Sequence, residues 1–316
     1  MSQSTVNTLR LGARGSLLSR MQSQTVADAL EKSHPGLAVE LILIKTTGDQ
    51  IADRPLHDAG GKGLFTKEIE EALIDNRIDL AVHSYKDVPV TMPLLDSAAL
   101  VIAATPERED PRDVLVCPRA QGITDLTQGA RVGTGSLRRR AQLLAIRPDL
   151  SIELIRGNID TRVKKLRAGD YDAIILALAG LRRSGIFDGQ DMTPIDPDQL
   201  LPAAGQGALA VQCRRDDPAT RAILAPLHDG ETAACVNLER GVVQALEGDC
   251  HSPIAALATI EDGQLILRTV VAKAGGDLPV IRANATGPAG DPMPVLQSVI
   301  ADLERQGVRN LLNPEP

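Results

Sequence analysis

Three short turns in the sequence combine glycine with arginine or serine where an apolar run gives way to an amphipathic segment. They are Arg14-Gly15-Ser16, residues 133–139 (Gly-Thr-Gly-Ser-Leu-Arg-Arg) and Arg156-Gly157-Asn158. A helix that starts at such a turn presents unpaired N–H groups and a partial positive charge. In open α/β sheets, ligands bind at the carboxyl ends of the strands. The turns therefore predict pockets for anionic groups.

The middle turn leads into three consecutive arginines, residues 138–140, in the predicted first turn of a helix. Cations there oppose the helix macrodipole, at a cost of about 0.3 to 1 kcal/mol each, which a bound anion would reverse. Leu137, Ala141, Leu144 and Ala145 form the predicted apolar stripe, so we expect the arginines to flank it or point away, free to reach a ligand. Because guanidinium groups bind carboxylates bidentately, a substrate with several carboxylates is favoured.

Charge along the chain is uneven. The whole sequence carries a net charge of -7, yet residues 131–183 hold ten Arg and two Lys against four Asp and one Glu. A ligand with several negative charges explains this local excess of positive charge. A solvated basic face is the alternative that the sequence leaves open.

Composition narrows the class of protein. With 316 residues, 43% hydrophobic and 24% charged, the chain is typical of a globular protein of two or three domains. Aromatic residues make up 1% and Trp is absent, which leaves too few rings for a platform that stacks single-stranded nucleic acid. The uncharged residues 199–213 are broken by Pro and Gly and fall short of the roughly 20 apolar residues that span a bilayer. We expect neither a nucleic-acid nor a membrane partner.

The cysteines and histidines do not suggest a metal site. Cys117, Cys213, Cys235 and Cys250 form no C-x-x-C pair, and the five His residues do not fall at metal-ligand spacing near them. The N-terminal residues lack the apolar segment of a secretory signal. The expected compartment is therefore the cytoplasm, where a thiol stays reduced and available for chemistry.

Short apolar runs alternate with amphipathic segments through most of the chain, a pattern typical of α/β units with mostly parallel strands. The predicted strands are residues 8–13, 39–45, 78–83, 132–134, 151–155 and 173–178, and the predicted helices are 16–31, 65–76 and those starting at Ser136 and near Asn158. Ser16 is the predicted N-cap of the first helix. Residues 67–84 and 161–177 share one order of helix, turn, Asp and strand. Two similar lobes would explain this, although α/β units commonly look alike.

The pattern of predicted helices and strands changes after about residue 228. A helix at 231–245 and a hairpin at Asp262-Gly263 indicate a small α+β domain. The predicted fold is α/β, with two lobes of mostly parallel sheets followed by this C-terminal domain. The predicted division is residues 1–105 with 204–227 for lobe 1, 106–203 for lobe 2 and 228–316 for the C-terminal domain, with hinges at 105–111 and 201–207.

From residue 9 to the hairpin, the sequence resembles the porphobilinogen deaminase family. The stretches that carry the resemblance are residues 60–65 (Gly-Gly-Lys-Gly-Leu-Phe), 83–89 (His-Ser-Tyr-Lys-Asp-Val-Pro), 133–139, 156–158, 161–162, 201–207 (Leu-Pro-Ala-Ala-Gly-Gln-Gly) and 246–250 (Leu-Glu-Gly-Asp-Cys). The resemblance implies a cleft between two periplasmic-binding-protein-like lobes. It also implies a third domain that presents a cysteine bearing the cofactor.

The resemblance further implies the chemistry. Cys250 would carry a dipyrromethane cofactor through a thioether, and Asp87, with Lys86 beside it, would be the catalytic acid that protonates the leaving amine of porphobilinogen. A covalent tether keeps a growing chain at high effective concentration. The implied cofactor-binding residues are Cys250, Lys86, Asp87, Ser136, Arg138, Arg139, Arg162 and Gln206, and the implied substrate-binding residues are Arg14, Ser16, Phe65, Arg156 and Arg162. Lys62 is a lesser candidate, and Gly60, Gly61 and Gly63 suggest a lid. The family expectation is a monomer.

The sequence departs from the commoner family pattern at two places. Asp58 stands where relatives often carry Lys, which puts an anion contact of the lid in doubt. Asp249 replaces a second Gly before the cysteine, and His251-Ser252 replace Gln-Val after it. A carboxylate beside the thiol should raise the pKa of Cys250, so we expect slower cofactor attachment.

Two functions from other classes remain as alternatives. A non-catalytic receptor for anions would need the arginines but neither Asp87 nor Cys250. A nucleotide-dependent oxidoreductase is supported only by Gly133-x-Gly135, since Arg138 stands where the third Gly of the dinucleotide fingerprint would be.

Overall fold

A computed structural model describes residues 8–47, 66–90, 95–249, 251–273 and 275–313. The chain divides into two compact units. Unit 1 comprises Met1–Arg108 and Ala208–Ala233, and unit 2 comprises Glu109–Gly207 and Ala234–Pro316. The expected division into three domains stays a prediction.

Unit 1 is built on a five-stranded sheet of order β2-β1-β3-β10-β4. Its strands are β1 (Thr8–Arg14), β2 (Ala38–Ile44), β3 (Leu80–Ser84), β4 (Leu100–Ala104) and β10 (Leu209–Arg214). β1 runs parallel to β2 and β3, whereas β10 is antiparallel to both β3 and β4. The helices are α1 (Leu17–Ser33), α2 (Lys67–Ile74) and α6 (Pro218–Leu224). Leu9 and Leu11 of β1 alternate into the same core that Val26 and Leu30 of α1 fill at helical spacing.

Unit 2 contains a second five-stranded sheet of order β7-β6-β8-β5-β9. Its strands are β5 (Asp113–Val116), β6 (Arg131–Gly133), β7 (Ser151–Glu153), β8 (Ala173–Ala177) and β9 (Met192–Pro194), and its helices are α3 (Leu137–Ile146), α4 (Ile159–Arg167) and α5 (Leu178–Arg183). β6 is parallel to β7 and β8, and β5 is antiparallel to β8 and β9. This is the same pattern of directions as in unit 1.

The two segments predicted to be similar, residues 67–84 and 161–177, make the same pair of hydrogen bonds to the neighbouring strand. In unit 1, Asp79 N donates to Arg10 O at 2.8 Å, and Arg10 N donates to the Asp79 carboxylate at 2.9 Å. In unit 2, Asp172 N donates to Arg131 O at 2.9 Å, and Arg131 N donates to the Asp172 carboxylate at 2.8 Å. In unit 1 an Asp before β3 therefore fastens that strand to β1, and in unit 2 an Asp before β8 fastens that strand to β6 in the same way.

The C-terminal part of unit 2 is a small α+β element. Helix α7 (Gly230–Ala245) precedes an antiparallel sheet of β11 (Ile254–Glu261), β12 (Gln264–Lys273) and β13 (Asp277–Pro288), followed by α8 (Pro292–Arg305) and α9 (Val308–Leu312). Asp262 and Gly263 form the predicted hairpin turn, with φ of 50° and 73°. The predicted fold class, two α/β lobes plus an α+β C-terminal element, is confirmed, although the two lobe sheets are mixed and not mostly parallel, because β10 and β5 each run antiparallel to both neighbours.

Several contacts join the sheet of β11–β13 to the rest of unit 2. Leu201 packs with residues of β11 and β12 in one apolar cluster. The buried carboxylate of Glu239 accepts from Gly205 N at 2.7 Å and from Ala258 N at 2.8 Å. Gly276 lies so close to Leu137 that a Cβ there would stand 2.7 Å from the Leu137 carbonyl oxygen. The helix that carries the consecutive arginines thus rests against the β12–β13 turn.

Within the described ranges, no helix is both long enough and apolar enough to cross a membrane.

Candidate active site

The carboxyl edge of the unit 1 sheet holds one group of predicted site residues. Arg14 is the last residue of β1, and Ser16 caps α1, because its hydroxyl accepts from Ser19 N at 3.3 Å. Arg14 N donates to the Ser19 hydroxyl at 3.1 Å. The predicted N-cap is confirmed, and the turn is held by hydrogen bonds within six residues.

Asp87 follows β3, the parallel neighbour of β1, so it emerges at the same edge. Residues Tyr85–Asp87 form a single 3₁₀ turn rather than a continuation of the strand. Tyr85 is buried and its N–H donates to Ala208 O at 3.0 Å, while Val88 N closes the turn on Tyr85 O at 3.1 Å. Anchored on both sides, the turn leaves Asp87 exposed and Lys86 half-buried. A carboxylate in this setting can meet a substrate from solvent.

Gln22 is a polar residue beside this group that the sequence interpretation missed. It is 5% exposed, and its side-chain amide donates to the Ser84 hydroxyl at 2.9 Å, joining α1 to the end of β3. A signal existed: Ser19, Gln22 and Ser23 are polar, yet they fall at the same helical spacing as Val26 on the inward face.

His83, at the centre of the resemblance, lies in the interior of unit 1. The Gln212 amide donates to Glu70 at 3.1 Å, which turns the amide oxygen toward His83 Nε2 at 3.0 Å. Since an amide oxygen can only accept, Nε2 carries the proton. Burial lowers the pKa of His83 to about 4. The hydrogen bond to Gln212 raises this pKa by a smaller amount, and the positive charge of Arg14 lowers it further. His83 is therefore neutral near pH 7.

We expect His83 to make the free energy of unfolding fall as pH is lowered from about 6.5 to about 4. The unfolded chain takes up a proton below pH 6.5, whereas the folded chain resists it down to about 4. The stability is therefore fully present above 6.5, and about 3 kcal/mol of it is lost across this window. His83→Gln should remove that share of the pH dependence in urea unfolding. His34→Gln, at the end of α1, is the control, and identical pH profiles for both variants and the parent would contradict the assignment.

The N-terminus of α3 carries the second group of predicted residues, in unit 2. Ser136 is its N-cap and accepts from Arg139 N at 3.4 Å. Arg138 and Arg139 are 5% and 6% exposed. The expectation that these two side chains flank an apolar stripe or point away is wrong, because both turn inward. Only Arg140 of the three reaches outward, to Asp277 at 2.9 Å.

The inward direction has a physical cause in Asp113, the fully buried first residue of β5, which the sequence interpretation also missed. Its carboxylate accepts from Arg138 at 2.8 Å, from Arg139 at 2.7 Å and from the Gln206 amide at 2.8 Å. Burial by itself would raise the pKa of Asp113, but the charges of Arg138 and Arg139 together hold it well below its usual range. The acid is ionised and pairs with both guanidinium groups.

The third turn, after β7, presents Arg156 and the start of α4. Gly157 has φ of 115°, and a Cβ there would stand 2.8 Å from the Thr161 side chain, so the position requires glycine. Arg162 Nε donates to Gly157 O at 2.7 Å and braces the turn. The Nε of Arg156 is buried and has no hydrogen-bond partner among the described residues. A guanidinium N–H in that state can donate a hydrogen bond to an anionic ligand.

The predicted residues therefore fall into two groups and a remainder. Unit 1 brings together Arg14, Ser16, Lys86 and Asp87, and unit 2 brings together Ser136, Arg138, Arg139 and Gln206, with Arg156 and Arg162 at the neighbouring turn. The remaining predictions, which are Phe65, Lys62, Asp58, the glycines at 60, 61 and 63, and Cys250, lie outside the described residues.

The residues on either side of position 250 are described. The Asp249 carboxylate accepts from His251 N and Ser252 N, both at 2.9 Å, and from the Ser252 hydroxyl at 3.0 Å. Burial opposes ionisation, but these bonds and the charge of His251 lower the pKa of Asp249. Asp249 is thus a negative charge tied to its own loop, and slower cofactor attachment stays a prediction.

Comparison with known families covers nearly the whole chain. The model described as "Porphobilinogen deaminase, dipyromethane cofactor binding domain" matches residues 9–222, and "Porphobilinogen deaminase, C-terminal domain" matches residues 233–305. A protein of Syntrophobacter fumaroxidans named "Porphobilinogen deaminase" is 47% identical over 304 residues, which cover 96% of each chain. One of the same name from Roseiflexus sp. is 46% identical over 305 residues, covering 96% of this chain and 98% of that protein.

Solved structures to which the chain shows some similarity include two binding proteins. The substrate binding domain 2 of GlnP from Lactococcus lactis has a TM-score of 0.44 at 11% identity, covering 72% of this chain and 90% of that one. The probable amino-acid extracellular-binding protein ytmK of Bacillus subtilis has a TM-score of 0.41 at 12% identity, covering 71% and 90%.

Proposed function

The chain belongs to the porphobilinogen deaminase family, and from that premise we propose that it builds hydroxymethylbilane with Asp87 as the catalytic acid and Cys250 as the anchor of the primer. The observation that carries the proposal is the family match over residues 9–222 and 233–305, which includes both positions. With the family known, neither the anion receptor nor the nucleotide-dependent oxidoreductase has support.

The reaction of the family is a transfer in tetrapyrrole biosynthesis. Four porphobilinogen molecules and one water give one hydroxymethylbilane and four ammonia. In each condensation the aminomethyl C–N bond of porphobilinogen breaks and a C–C bond forms from its methylene carbon to a free pyrrole α-carbon. That α-carbon loses a proton, which restores aromaticity. Each step therefore needs a proton for the leaving amine and an acceptor for the proton released later.

One carboxylate can serve both steps, and Asp87 is suited to them. In the protonated form it gives a proton to the leaving amine, and as the carboxylate it stabilises the cationic pyrrole and then accepts the α-carbon proton. Its exposed position on the anchored turn after β3 supports this role. Lys86, its neighbour in the turn, adds a positive charge for acidic arms of the ligand.

The residues of unit 2 fit a cofactor with acidic arms. Arg139 Nε and Arg156 Nε are buried N–H groups with no partner within the described parts of the chain, and carboxylates are the acceptors they lack. When bound, dipyrromethane supplies the pyrrole α-carbon nucleophile and a tether to the protein. We assign its binding to Cys250, Lys86, Asp87, Ser136, Arg138, Arg139, Arg162 and Gln206. Substrate binding is assigned to Arg14, Ser16, Phe65, Arg156 and Arg162.

The remaining parts of the proposal concern the cellular compartment, the oligomeric state and the partners. We place the protein in the cytoplasm as a monomer with porphobilinogen as its small-molecule partner and without a nucleic-acid or membrane partner. The shortage of aromatic rings and the net charge of -7 support the absence of nucleic acid.

The purified protein tests the proposal directly. With porphobilinogen it should release one ammonia for each porphobilinogen consumed, and the denatured protein should give the colour reaction of a bound dipyrrole. Bovine serum albumin carried through the same procedure is the control. A colourless protein that leaves porphobilinogen unchanged would show that the proposed function is wrong.

A further inference from the structure

We propose that Asp113 is a positioning residue of the anion site in unit 2, which holds the guanidinium groups of Arg138 and Arg139 in place for the carboxylates of the cofactor. The inference rests on the proposed function, because it takes from it the role of the two arginines.

Asp113 is the point at which three of the proposed cofactor-binding side chains converge. Arg138 and Arg139 come from α3, and Gln206 comes from the segment before β10, 93 positions along the chain from Asp113. All three donate to the one carboxylate, at 2.7 to 2.8 Å. The carboxylate is 0% exposed and the three partners are 1% to 6% exposed. Such a buried, hydrogen-bonded cluster restricts each side chain to one arrangement.

Each arginine has a second anchor that completes its orientation. Arg138 donates to Leu201 O at 2.6 Å, and Arg139 donates to Ile175 O at 2.9 Å. With Asp113 each guanidinium is thus held at two points. A bidentate partner such as a carboxylate needs this, since its two bonds require a fixed plane of the guanidinium.

The charges of the cluster do not balance within the described residues. Two buried cations share one buried anion, and Arg139 Nε has no acceptor there. A buried unpaired donor or charge is costly, so the cluster is complete only with a further acceptor. The excess positive charge and the N–H without an acceptor together indicate an anionic ligand.

A second cluster, in which one Asp also pairs with two Arg, offers a contrast. Asp79, at the amino end of β3, pairs with Arg10 at 2.7 Å and with Arg214 at 3.0 Å. Its carboxylate also accepts from the main-chain N–H of Arg10, and neither arginine has a buried N–H without a partner among the described residues. That cluster joins strands and is satisfied as it stands, so Asp79 is the matched control for a purely structural role.

The test compares Asp113→Asn with Asp79→Asn by intact mass and thermal unfolding. Each variant is incubated with porphobilinogen, and the rate at which folded protein gains the mass of two linked pyrroles is measured. If Asp113 acted through its charge alone, Asp113→Asn should load faster, because the substitution removes a negative charge from a site that binds anions. Positioning predicts that loading per folded molecule falls at least tenfold, that Asp113→Glu restores part of it, and that Asp79→Asn loads like the parent even where its Tm falls.

Equal loading of Asp113→Asn and Asp79→Asn would overturn the inference while leaving the proposed function intact. A parent protein that carries no pyrrole mass either before or after incubation would instead overturn the proposed function, and this inference with it. Should Asp113→Asn fail to fold, Arg138→Met is compared with the double variant Arg138→Met/Asp113→Asn. The cluster of the double variant has the same net charge of about +1 as the parent cluster. The double variant should load more slowly than Arg138→Met, and equal or faster loading would overturn the inference.

Discussion

Asp87→Asn should lower the turnover number for porphobilinogen by a factor of about 10² to 10⁴, the usual contribution of a general acid. Asparagine keeps the size of the side chain and its hydrogen-bonding oxygen but can neither give a proton to the leaving amine nor balance the cationic pyrrole. The KM for porphobilinogen should change little, because the arginines proposed to bind the acidic arms are untouched. Initial rates of ammonia release over a range of substrate concentrations measure both quantities.

The control for this variant is another exposed carboxylate of unit 1. Asp75, at the end of α2, is 61% exposed and 3.5 Å from Arg77. Asp75→Asn should leave both kinetic constants as in the parent, since surface pairs of this kind contribute little. If Asp87→Asn turns over at the rate of Asp75→Asn, another group must supply the proton.

Cys250→Ser should abolish both the covalent pyrrole mass and turnover. A serine hydroxyl is a far weaker nucleophile than a thiolate near neutral pH, so the thioether should not form. Without the tether, condensation loses the high effective concentration that attachment provides, which for well-oriented partners is worth roughly 7 to 11 kcal/mol. Intact-mass measurement before and after incubation with porphobilinogen reports the attachment, and ammonia release reports the turnover.

The other cysteines provide the control for this substitution. Cys117, Cys213 and Cys235 are buried cysteines that form no disulfide, and Cys117 donates to Asp172 O at 3.4 Å. Cys117→Ser should keep the pyrrole mass. A parent protein that turns over with an unmodified thiol, or a Cys250→Ser variant that keeps the added mass, would contradict the anchor.

The secondary structure and the caps of the helices that follow the turns could be predicted because they depend on short-range interactions. Ser16 and Ser136 cap their helices through bonds to residues three positions on, and Gly157 is required by its own φ. Strand bounds differ by one or two residues; the strand predicted at 78–83 is Leu80–Ser84. Lys86 and Asp87 lie beyond both the predicted and the observed end of this strand, and the 3₁₀ turn that holds them was not predicted.

The direction of Arg138 and Arg139 could not be predicted in the same way. The apolar pattern of residues 137–145 favoured an outward direction, because a helical stripe is read from hydrophobic residues alone. Asp113 reverses that preference from 25 positions away, and nothing in the local sequence marks it as buried. Gln22 was missed for the same reason, since its partner Ser84 is 62 positions distant.

The sequence by itself determined, to within one or two residues, where helices and strands begin, which residues cap the helices, and through its motifs the family. Those properties follow from hydrogen bonds and side-chain spacing within about one helical turn. Only the tertiary structure decided that two inward-turned guanidinium groups share one buried carboxylate with Gln206, and that Asp87 stands on a turn anchored by a buried tyrosine. Sheet order brings such residues together, and sheet order depends on how distant apolar faces pack.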